Sequence, residues 1–168
     1  MRLHIGGEEI KQGWKILNIQ KKPGVDFIGD ITDLSQFDDE SVEEIYASHV
    51  LEHIGISLVV NAVNEIFRVL QQGGRLYVSV PDLEVLTKLF LAEPEGANKY
   101  NLMRMIYGGQ TDKYDYHYVG FWRDSLYDVL KNAGFTSYEK VDFFNIFNDT
   151  SSLQVHGMPI SLNVVGIK

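Results

Sequence analysis

Three polar residues that could take part in chemistry, Ser48, His49 and His53, follow an apolar run in the segment VEEIYASHVLEHI. The stretch from Val42 to Pro81 predicts a strand, a loop, an amphipathic helix and a second strand, which together make one βαβ unit. In open sheets of parallel strands, ligands bind in the crevice beyond the carboxyl ends of the strands. We therefore expect a ligand site around these three side chains.

The histidines allow more than one interpretation. His49 and His53 are four residues apart, a spacing that would place both on one face of a helix and allow metal binding. No carboxylate-rich pattern offers a third ligand, so we expect no metal and interpret His53 as a hydrogen-bonding or helix-end residue. His117 lies in GGQTDKYDYHYVGF, which predicts a long loop whose aromatic residues either contact substrate or form ordinary surface.

Composition narrows the class of protein. The 168 residues contain 45% hydrophobic side chains and predict one globular domain over residues 1–168. The absence of cysteine excludes disulfides, thiolate zinc sites and a cysteine nucleophile. A net charge of −8 disfavours nucleic acid as a partner, and no apolar run approaches the roughly 20 residues of a membrane-spanning helix. No basic and apolar leader opens the chain, so we expect a soluble, cytoplasmic protein.

Hydrophobic periodicity predicts a chain of alternating strands and helices. The predicted strands are Met1–Ile5, Trp14–Gln20, the short VDFIGD, Glu44–Ala47, Arg75–Val80, SYEKVDFF and SLNVVGIK. The predicted helices run from Ser57, as N-cap, to the Gly73-Gly74 stop, then cover Leu83–Phe90 and Tyr100–Tyr107, and the last one is closed by Gly134. The final two strands are well placed to pair as an antiparallel edge.

An ordered set of motifs spans nearly the whole chain: LHIGG, GWKILNI, VDFIGDITDL, EEIYASHVLEHI and EIFRVLQQGGRLYVSVPDLE, with SLNVVGIK at the end. Together they resemble the class I S-adenosylmethionine-dependent methyltransferases of the type-11 methyltransferase domain family. The ordered set carries the likeness, because a Gly-Gly pair alone would mean little. The resemblance implies a Rossmann-like, doubly wound, mostly parallel sheet of about seven strands with an antiparallel C-terminal hairpin.

The resemblance also implies a site for S-adenosylmethionine, with S-adenosylhomocysteine as product. Glycines under the methionine end would let the backbone approach the cofactor closely, which a Cβ would prevent. The implied contacts are Gly6 and Gly7 at the methionine end, Gln20 at the ribose, Asp30 and Ile31 at the adenine, and Ser48 and His49 by the methionine portion. His53 is a further candidate for the cofactor site. From spacing alone, Gly6-Gly7 could equally be a tight turn and Asp30 a turn cap.

Three departures from the family pattern bear on cofactor binding. Glu8 stands where a glycine is usual and puts a negative charge near the expected cofactor carboxylate. Gln20 replaces an acidic residue and loses the charge-assisted part of a hydrogen bond, on the order of 1 kcal/mol. Only EEIKQGW stands where a full helix often lies, so we expect an N-terminally shortened domain whose cofactor cover is missing or comes from a partner.

We expect a methyltransferase that acts on a small-molecule acceptor, and the resemblance alone suggests a sugar or another cell-surface precursor. Alignment of the two reactants supplies most of the acceleration in methyl transfer, and a base is needed only when the acceptor has a proton to lose. His117 is the first candidate for that base, with His49 or Asp82 next.

Two other functions remain open. The first is a non-catalytic binding or assembly module with a degenerate cofactor site, which exposure of Trp14, Phe121, Trp122 or Phe143 would favour. The second is a dinucleotide-binding oxidoreductase, which is disfavoured because no G-x-G-x-x-G follows the first strand. The residues do not decide which acceptor is methylated or whether the chain forms a homodimer.

Overall fold

A seven-stranded mixed sheet forms the centre of the molecule in the computed structural model, which describes residues 1–168. The strands are β1 (Arg2–Ile5), β2 (Trp14–Asn18), β3 (Phe27–Ile28), β4 (Val42–Ser48), β5 (Leu70–Pro81), β6 (Ser137–Val141), β7 (Gln154–Val155), β8 (Met158–Pro159) and β9 (Ser161–Ile167). The order across the sheet is β3-β2-β1-β4-β5-β9-β6, while β7 and β8 pair only with each other. β1 to β5 run parallel and β9 lies antiparallel between β5 and β6. This topology confirms the predicted fold class.

One face of the sheet is covered by two helices, α1 (Ile56–Val69) and α4 (Arg123–Ala133). Their apolar stripes pack against alternate residues of the strands, and the resulting core holds 25 buried residues. Burial of that many apolar side chains is the main source of stability for a chain of this length. The core fixes the positions of the strand ends, where the predicted ligand site lies.

The bounds of α1 differ from the sequence prediction at both ends. Gly55 occupies the N-cap position and no side chain caps the helix, so the predicted N-cap at Ser57 is wrong; Ser57 lies exposed in the first turn. The helix ends at Val69 rather than at the predicted Gly73-Gly74 stop, because Leu70 pairs with Val42 and opens β5. Leu70 is fully buried there, so pairing in the sheet outweighs one more helical turn.

The opposite face of the sheet has no helix from the connections of the first three strands. β1 joins β2 through residues 6–13, β2 joins β3 through residues 19–26, and β3 joins β4 through residues 29–41, all without a helix. Residues 142–152 cover part of this face instead. Phe147, from this segment, packs with Trp14 and Tyr46 in a small aromatic core.

The segment between β5 and β6 contains α2 (Leu83–Ala92), α3 (Ala97–Tyr107) and α4, with a loop of residues 108–122 before α4. This confirms the two predicted helices and the long loop. Gly134 ends α4 in the left-handed conformation, φ 107°, as the sequence predicts. No helix of the molecule has both the length and the apolar character to cross a membrane.

Candidate functional site

A cavity of about 310 Å³ opens at the carboxyl ends of β1, β2 and β4. We call it the larger cavity. Six of the residues predicted to form a ligand site line it: Gly6, Gln20, Asp30, Ile31, His49 and His53. Its volume is typical of sites for small molecules and cofactors, and its position is the crevice in which open parallel sheets bind ligands.

Gly6 lies in the wall of the larger cavity beside Val50. Its φ is +75°, a left-handed conformation that glycine adopts without strain, and a Cβ there would lie 2.6 Å from Cγ2 of Val50. Asp30, across the cavity, accepts hydrogen bonds from the backbone N–H and the hydroxyl of Thr32 on the same oxygen, Oδ1. It therefore caps its turn while Oδ2 makes no hydrogen bond within the chain, so the turn cap does not exclude a contact between Asp30 and a ligand.

Gly7 and Ser48 do not line the larger cavity, although the resemblance places both in the cofactor site. A Cβ on Gly7 would overlap the imidazole ring of His4, so the glycine is required for packing on the far side of the strand. Ser48 lies in β4 between Ala47, which faces the helix-covered core, and His49 at the strand exit. The structure thus gives neither residue a direct contact with this cavity.

The charge of Glu8 is balanced at the wall of the larger cavity. Glu8 and Lys22 both line it, and the Lys22 ammonium donates to the Glu8 carboxylate. A ligand carboxylate that enters here meets a paired glutamate beside an ammonium group rather than an isolated negative charge. Both side chains are substantially exposed, so the pair adds little to folding stability.

The loop before α4 forms a second part of the wall of the larger cavity, apart from the strand ends. Asp112, Lys113, Tyr114 and Asp115 all line it. The Asp115 carboxylate holds the loop together by accepting from the backbone N–H groups of Gly109 and Thr111 and from the Thr111 hydroxyl. Residues more than 90 positions after β1 therefore form part of the wall of the larger cavity. The expectation that a cover over the cofactor is missing or comes from a partner stays a prediction.

A smaller cavity, of about 230 Å³, lies beside the larger one. His49, His53 and Asp115 line both and form the boundary between them. The rest of the smaller cavity combines polar and apolar residues, with His117 and Thr150 among the former and Leu86 and Met105 among the latter. The arrangement can hold two molecules side by side with histidines at their junction.

His49 has both ring nitrogens engaged. Its Nδ1 lies 3.0 Å from Oε1 of Glu52, and its Nε2 lies 2.9 Å from the hydroxyl of Ser161, which itself donates to the carbonyl of Thr150. The backbone of His49 is also unusual, with φ +54° in the left-handed region. Because the Ser161 hydroxyl donates to Thr150, Nε2 of His49 carries a hydrogen and donates to Ser161, while Nδ1 faces the carboxylate of Glu52.

His53 and His117 each have one nitrogen free. Nδ1 of His53 bonds the carbonyl of Tyr116 at 3.1 Å, and Nδ1 of His117 bonds the carbonyl of Ile106 at 3.2 Å. Because a carbonyl oxygen can only accept, each Nδ1 carries the hydrogen and each Nε2 keeps its lone pair. The two rings meet edge to face, 4.7 Å between centroids. Burial lowers the pKa of His117 below its ordinary value, partly opposed by the charge of Glu52.

Glu52 lies beneath these histidines in the 3₁₀ turn Leu51–His53 and is completely buried. Burial raises the pKa of its carboxyl, but the neighbouring His49 and then His53 outweigh that effect and hold the pKa below its ordinary value. The carbonyl of Glu52 accepts from the backbone N–H of Tyr118, which fastens the long loop to this turn. The carboxyl group of Glu52 is thus buried between His49 and His53 at the junction.

Residues 5–78 match the model of a family described as a methyltransferase domain. The match covers fewer than half of the residues of the chain. The strand order agrees with it, and the fold of the chain is that of the class I methyltransferases.

Solved structures extend the likeness in fold over nearly the whole chain. A SAM-dependent methyltransferase from Archaeoglobus fulgidus superposes with a TM-score of 0.63 at 13% identity, covering 99% of this chain and 85% of that one. A SAM-dependent methyltransferase from Thermotoga maritima superposes with a TM-score of 0.62 at 16% identity, covering 99% of this chain and 81% of that one. The 1,6-didemethyltoxoflavin-N1-methyltransferase of Burkholderia thailandensis, with bound 1,6-didemethyltoxoflavin and S-adenosylhomocysteine, gives 0.62 at 13% identity, covering 99% and 70%. No curated protein matches the sequence.

Asp82, the third candidate base, has a structural role at the start of α2. It is the N-cap of α2, where its carboxylate accepts from the backbone N–H groups of Glu84 and Val85, and its other oxygen is 3.4 Å from the Lys140 ammonium. It lines neither cavity. The structure therefore does not bring this candidate base to the junction.

The aromatic residues that would have marked an assembly module divide into two groups. Trp14 and Phe121 are buried in two of the cores of the molecule, whereas Trp122 and Phe143 are 46% and 38% exposed. The exposed pair comes from separate segments, before α4 and after β6. Single exposed aromatics are common in monomeric proteins, so they do not by themselves indicate a partner.

The sequence analysis did not identify Glu52 and Lys22 as site residues, and it did not place residues 112–115 at the larger cavity. Glu52 was passed over because a glutamate in a polar turn is ordinarily exposed. Lys22 lies in a predicted turn, with nothing in its spacing to connect it to Glu8. Residues 112–115 belong to a loop whose position depends on contacts between distant segments, which no local pattern encodes.

Proposed function

We propose that the domain transfers a methyl group from S-adenosylmethionine to a small-molecule acceptor. The observation that carries the proposal is the pair of adjoining cavities, which share the wall formed by His49, His53 and Asp115. Methyl transfer requires two bound reactants in line, and holding them so accounts for most of the acceleration. A scaffold with a single cavity would support the binding-module alternative better.

The residues of the larger cavity suit the cofactor. Gly6 provides the close backbone approach that a Cβ would fill, and Gln20 and Asp30 offer an amide and a carboxylate oxygen to ribose hydroxyls and to the adenine amine. Lys22, beside Glu8, provides positive charge for the methionine carboxylate. When bound, S-adenosylmethionine would supply the methyl group of its sulfonium as a cation equivalent, with neutral S-adenosylhomocysteine as the leaving group.

The acceptor would bind in the smaller cavity. Its mixed lining favours a compound with an apolar portion and at least one hydroxyl or amine, as in a sugar derivative or a nitrogen heterocycle. Nε2 of His117 carries a free lone pair at this cavity and would take the proton of the acceptor. The ring of His49 is held between Glu52 and Ser161, so it would orient the junction instead.

Calorimetric titration of the purified protein with S-adenosylmethionine and S-adenosylhomocysteine, with NAD as control, tests the first half of this proposal. We expect micromolar binding of the two sulfur compounds and none of NAD. No binding of either up to millimolar concentration would overturn the proposal, and binding of NAD alone would favour the oxidoreductase.

A screen of hydroxyl- and amine-bearing small molecules, read out as S-adenosylhomocysteine formed, tests the second half. An acceptor that raises product formation above the acceptor-free rate supports transfer. Tight cofactor binding without turnover on any acceptor class would favour the non-catalytic module.

A further inference from the structure

The buried carboxylate of Glu52 lacks the hydrogen bonds that would stabilise it. The side chain has no exposed surface, and neither of its oxygens has a hydrogen-bond partner. Nδ1 of His49 lies 3.0 Å from Oε1, but the contact does not have the geometry of a hydrogen bond. Buried carboxylates in native proteins are normally satisfied by several hydrogen bonds or by a metal ion.

Two histidines complete a set of ligands around this carboxylate. Glu52, His53 and His117 each offer one potential ligand atom, and these atoms all lie within 4.8 Å of one another. A tetrahedral ion with bonds of about 2.0–2.2 Å requires ligand atoms roughly 3.4 Å apart. Side-chain rotations of about an ångström would close the difference, and both histidines are only partly buried.

The hydrogen bonds of the two histidines favour the same conclusion. In metal sites the ligating imidazole generally donates its other N–H to a carbonyl or carboxylate, which fixes the tautomer and the direction of the ring. His53 donates to the carbonyl of Tyr116 and His117 to that of Ile106. Both rings are therefore held with the lone pair of Nε2 free to bind an ion.

We propose that Glu52, His53 and His117 bind a divalent transition-metal ion. Two imidazoles and one carboxylate are the ligands of zinc and of the neighbouring first-row metals, whereas Mg²⁺ and Ca²⁺ prefer oxygen ligands only. Three protein ligands leave at least one coordination position open, and His53 and His117 direct it towards the smaller cavity. Such an open position is the mark of a site that binds a substrate atom rather than a purely structural ion.

The sequence concealed this site because its ligands are not spaced as a motif. The pair His49 and His53 has helical spacing, but the residues lie in a strand exit and a 3₁₀ turn rather than on one helix face. The second histidine ligand is instead His117, which lies 64 positions after His53. The hydrogen bond from Tyr118 to the carbonyl of Glu52 brings the two segments together.

An ion at this place would change the role of His117. The single lone pair on Nε2 cannot bind a metal and a proton at once, so with the ion bound the metal, rather than the imidazole, would activate an acceptor hydroxyl. This consequence rests on the proposed function, whereas binding of the ion does not. The two are tested by separate measurements.

The first experiment titrates chelator-treated, cofactor-free protein with Co²⁺ and follows its visible absorption, then displaces it with Zn²⁺. We expect one equivalent of Co²⁺ in a low-symmetry, nitrogen-containing site and displacement by one equivalent of Zn²⁺. Mg²⁺ at the same concentrations should not compete. Absence of stoichiometric Co²⁺ and Zn²⁺ binding would overturn the proposal, even if S-adenosylmethionine binds normally.

Variants identify the ligands. Glu52→Gln keeps the shape of the side chain and should weaken Zn²⁺ binding by more than about tenfold, as should His117→Gln. The matched control is His156→Gln, because His156 also contacts a glutamate, Glu93, but lies outside both cavities. Equal affinities in Glu52→Gln and the control would show adventitious surface binding and contradict the assignment.

A measurement on the unmodified protein guards against misfolded variants. Nitrogen NMR of the histidine rings should show Zn²⁺ shifting Nε2 of His53 and His117 while Nδ1 of both keeps its hydrogen. Shifts confined to His156 or His4 would overturn the proposal without any substitution.

Discussion

The two cavities are assembled in different ways. The larger one draws most of its lining from residues 5–54, which follow directly from the ends of β1, β2 and β4. The smaller one is built from residues that range from His49 to Ile160 and come together through α2, α3, the long loop and the segment before β9. The first is thus a local construction at strand ends, and the second is a product of tertiary packing.

This difference teaches where the chain can vary. Strand ends are held by the sheet, so a site formed there keeps its shape while the loops that bring in the rest are free to change. We therefore expect substitutions in the larger cavity to alter cofactor affinity alone, and substitutions in the smaller cavity to alter turnover alone. Four predictions sharpen or break this separation.

Acid should destabilise the packing beneath the larger cavity first. Burial lowers the pKa of His4 to about 4, against the opposing charges of Asp149 and Glu9. Since the unfolded chain binds this proton at its ordinary pKa of 6.5, the stability is fully present above pH 6.5 and is lost as the pH falls to about 4. The difference corresponds to roughly 3 kcal/mol, measurable as the free energy of unfolding by urea at several pH values.

His4→Phe provides the control for this titration. The ring packs on Phe147 at 4.0 Å between centroids and Nδ1 has no hydrogen-bond partner, so phenylalanine should fit without a lost bond. The variant should lose the pH dependence of that size, and His156→Gln should keep it. Retention of the full acid sensitivity in His4→Phe would assign it to other groups.

His117→Gln should break the smaller cavity and spare the larger one. Removing the lone pair of Nε2 should lower turnover by about 100-fold, which is typical of lost acid–base catalysis and corresponds to about 2.7 kcal/mol. The Kd of S-adenosylhomocysteine should stay within about twofold, because His117 does not line the larger cavity. A parallel loss of cofactor affinity would show that the two cavities are not separable.

Gly6→Ala should weaken the binding of the cofactor in the larger cavity and leave the smaller cavity unchanged. The left-handed φ of +75° and the 2.6 Å approach to Val50 should raise the Kd of S-adenosylmethionine by about tenfold, or 1.4 kcal/mol. Gly157→Ala is the matched control, since its φ is +76° and its Cβ would meet nothing within 4 Å. Equal effects of the two substitutions on cofactor affinity, measured by calorimetry, would contradict a role of Gly6 in binding.

Gln20→Glu should give the smallest effect, a gain. Restoring an acidic side chain in the larger cavity should tighten S-adenosylmethionine binding by about three- to fivefold, because a charged acceptor strengthens a hydrogen bond by somewhat under 1 kcal/mol at a partly exposed site. Gln154→Glu adds the same charge on an exposed strand outside both cavities and should leave the Kd unchanged. Weaker binding in Gln20→Glu would place Gln20 away from the ribose.

The local half of the structure was predictable from the sequence. Alternating apolar residues identified β2 and β9, the helical stripe identified the middle of α1, and Gly134 marked the end of α4. The resemblance to a known family, rather than a local signal, indicated Gly6 and Asp30, which both line the larger cavity. The local signals failed at Leu70, where pairing with Val42 in the sheet decides a boundary that periodicity alone assigns to the helix.

The remainder depends on contacts between distant segments. Gly7 has the appearance of a cofactor glycine, but its lack of a side chain serves the ring of His4 on the other side of the strand. Glu52 and His117 are unremarkable as separate residues, and only their meeting gives them chemical meaning. Tertiary packing, rather than any spacing along the chain, determines both outcomes.

The helix-free connections of β1, β2 and β3 have a consequence for the order of folding. Paired residues there are close in sequence, as in Arg2 with Trp14 and Leu17 with Phe27, although the strands are parallel. Contacts between near neighbours close short loops and form quickly, whereas β5 must wait for β9 to arrive from some 90 residues away. We expect pulse-labelled hydrogen exchange to protect β1 and β2 early in refolding and β9 late. The half that holds the larger cavity would then exist before the half that closes the smaller one.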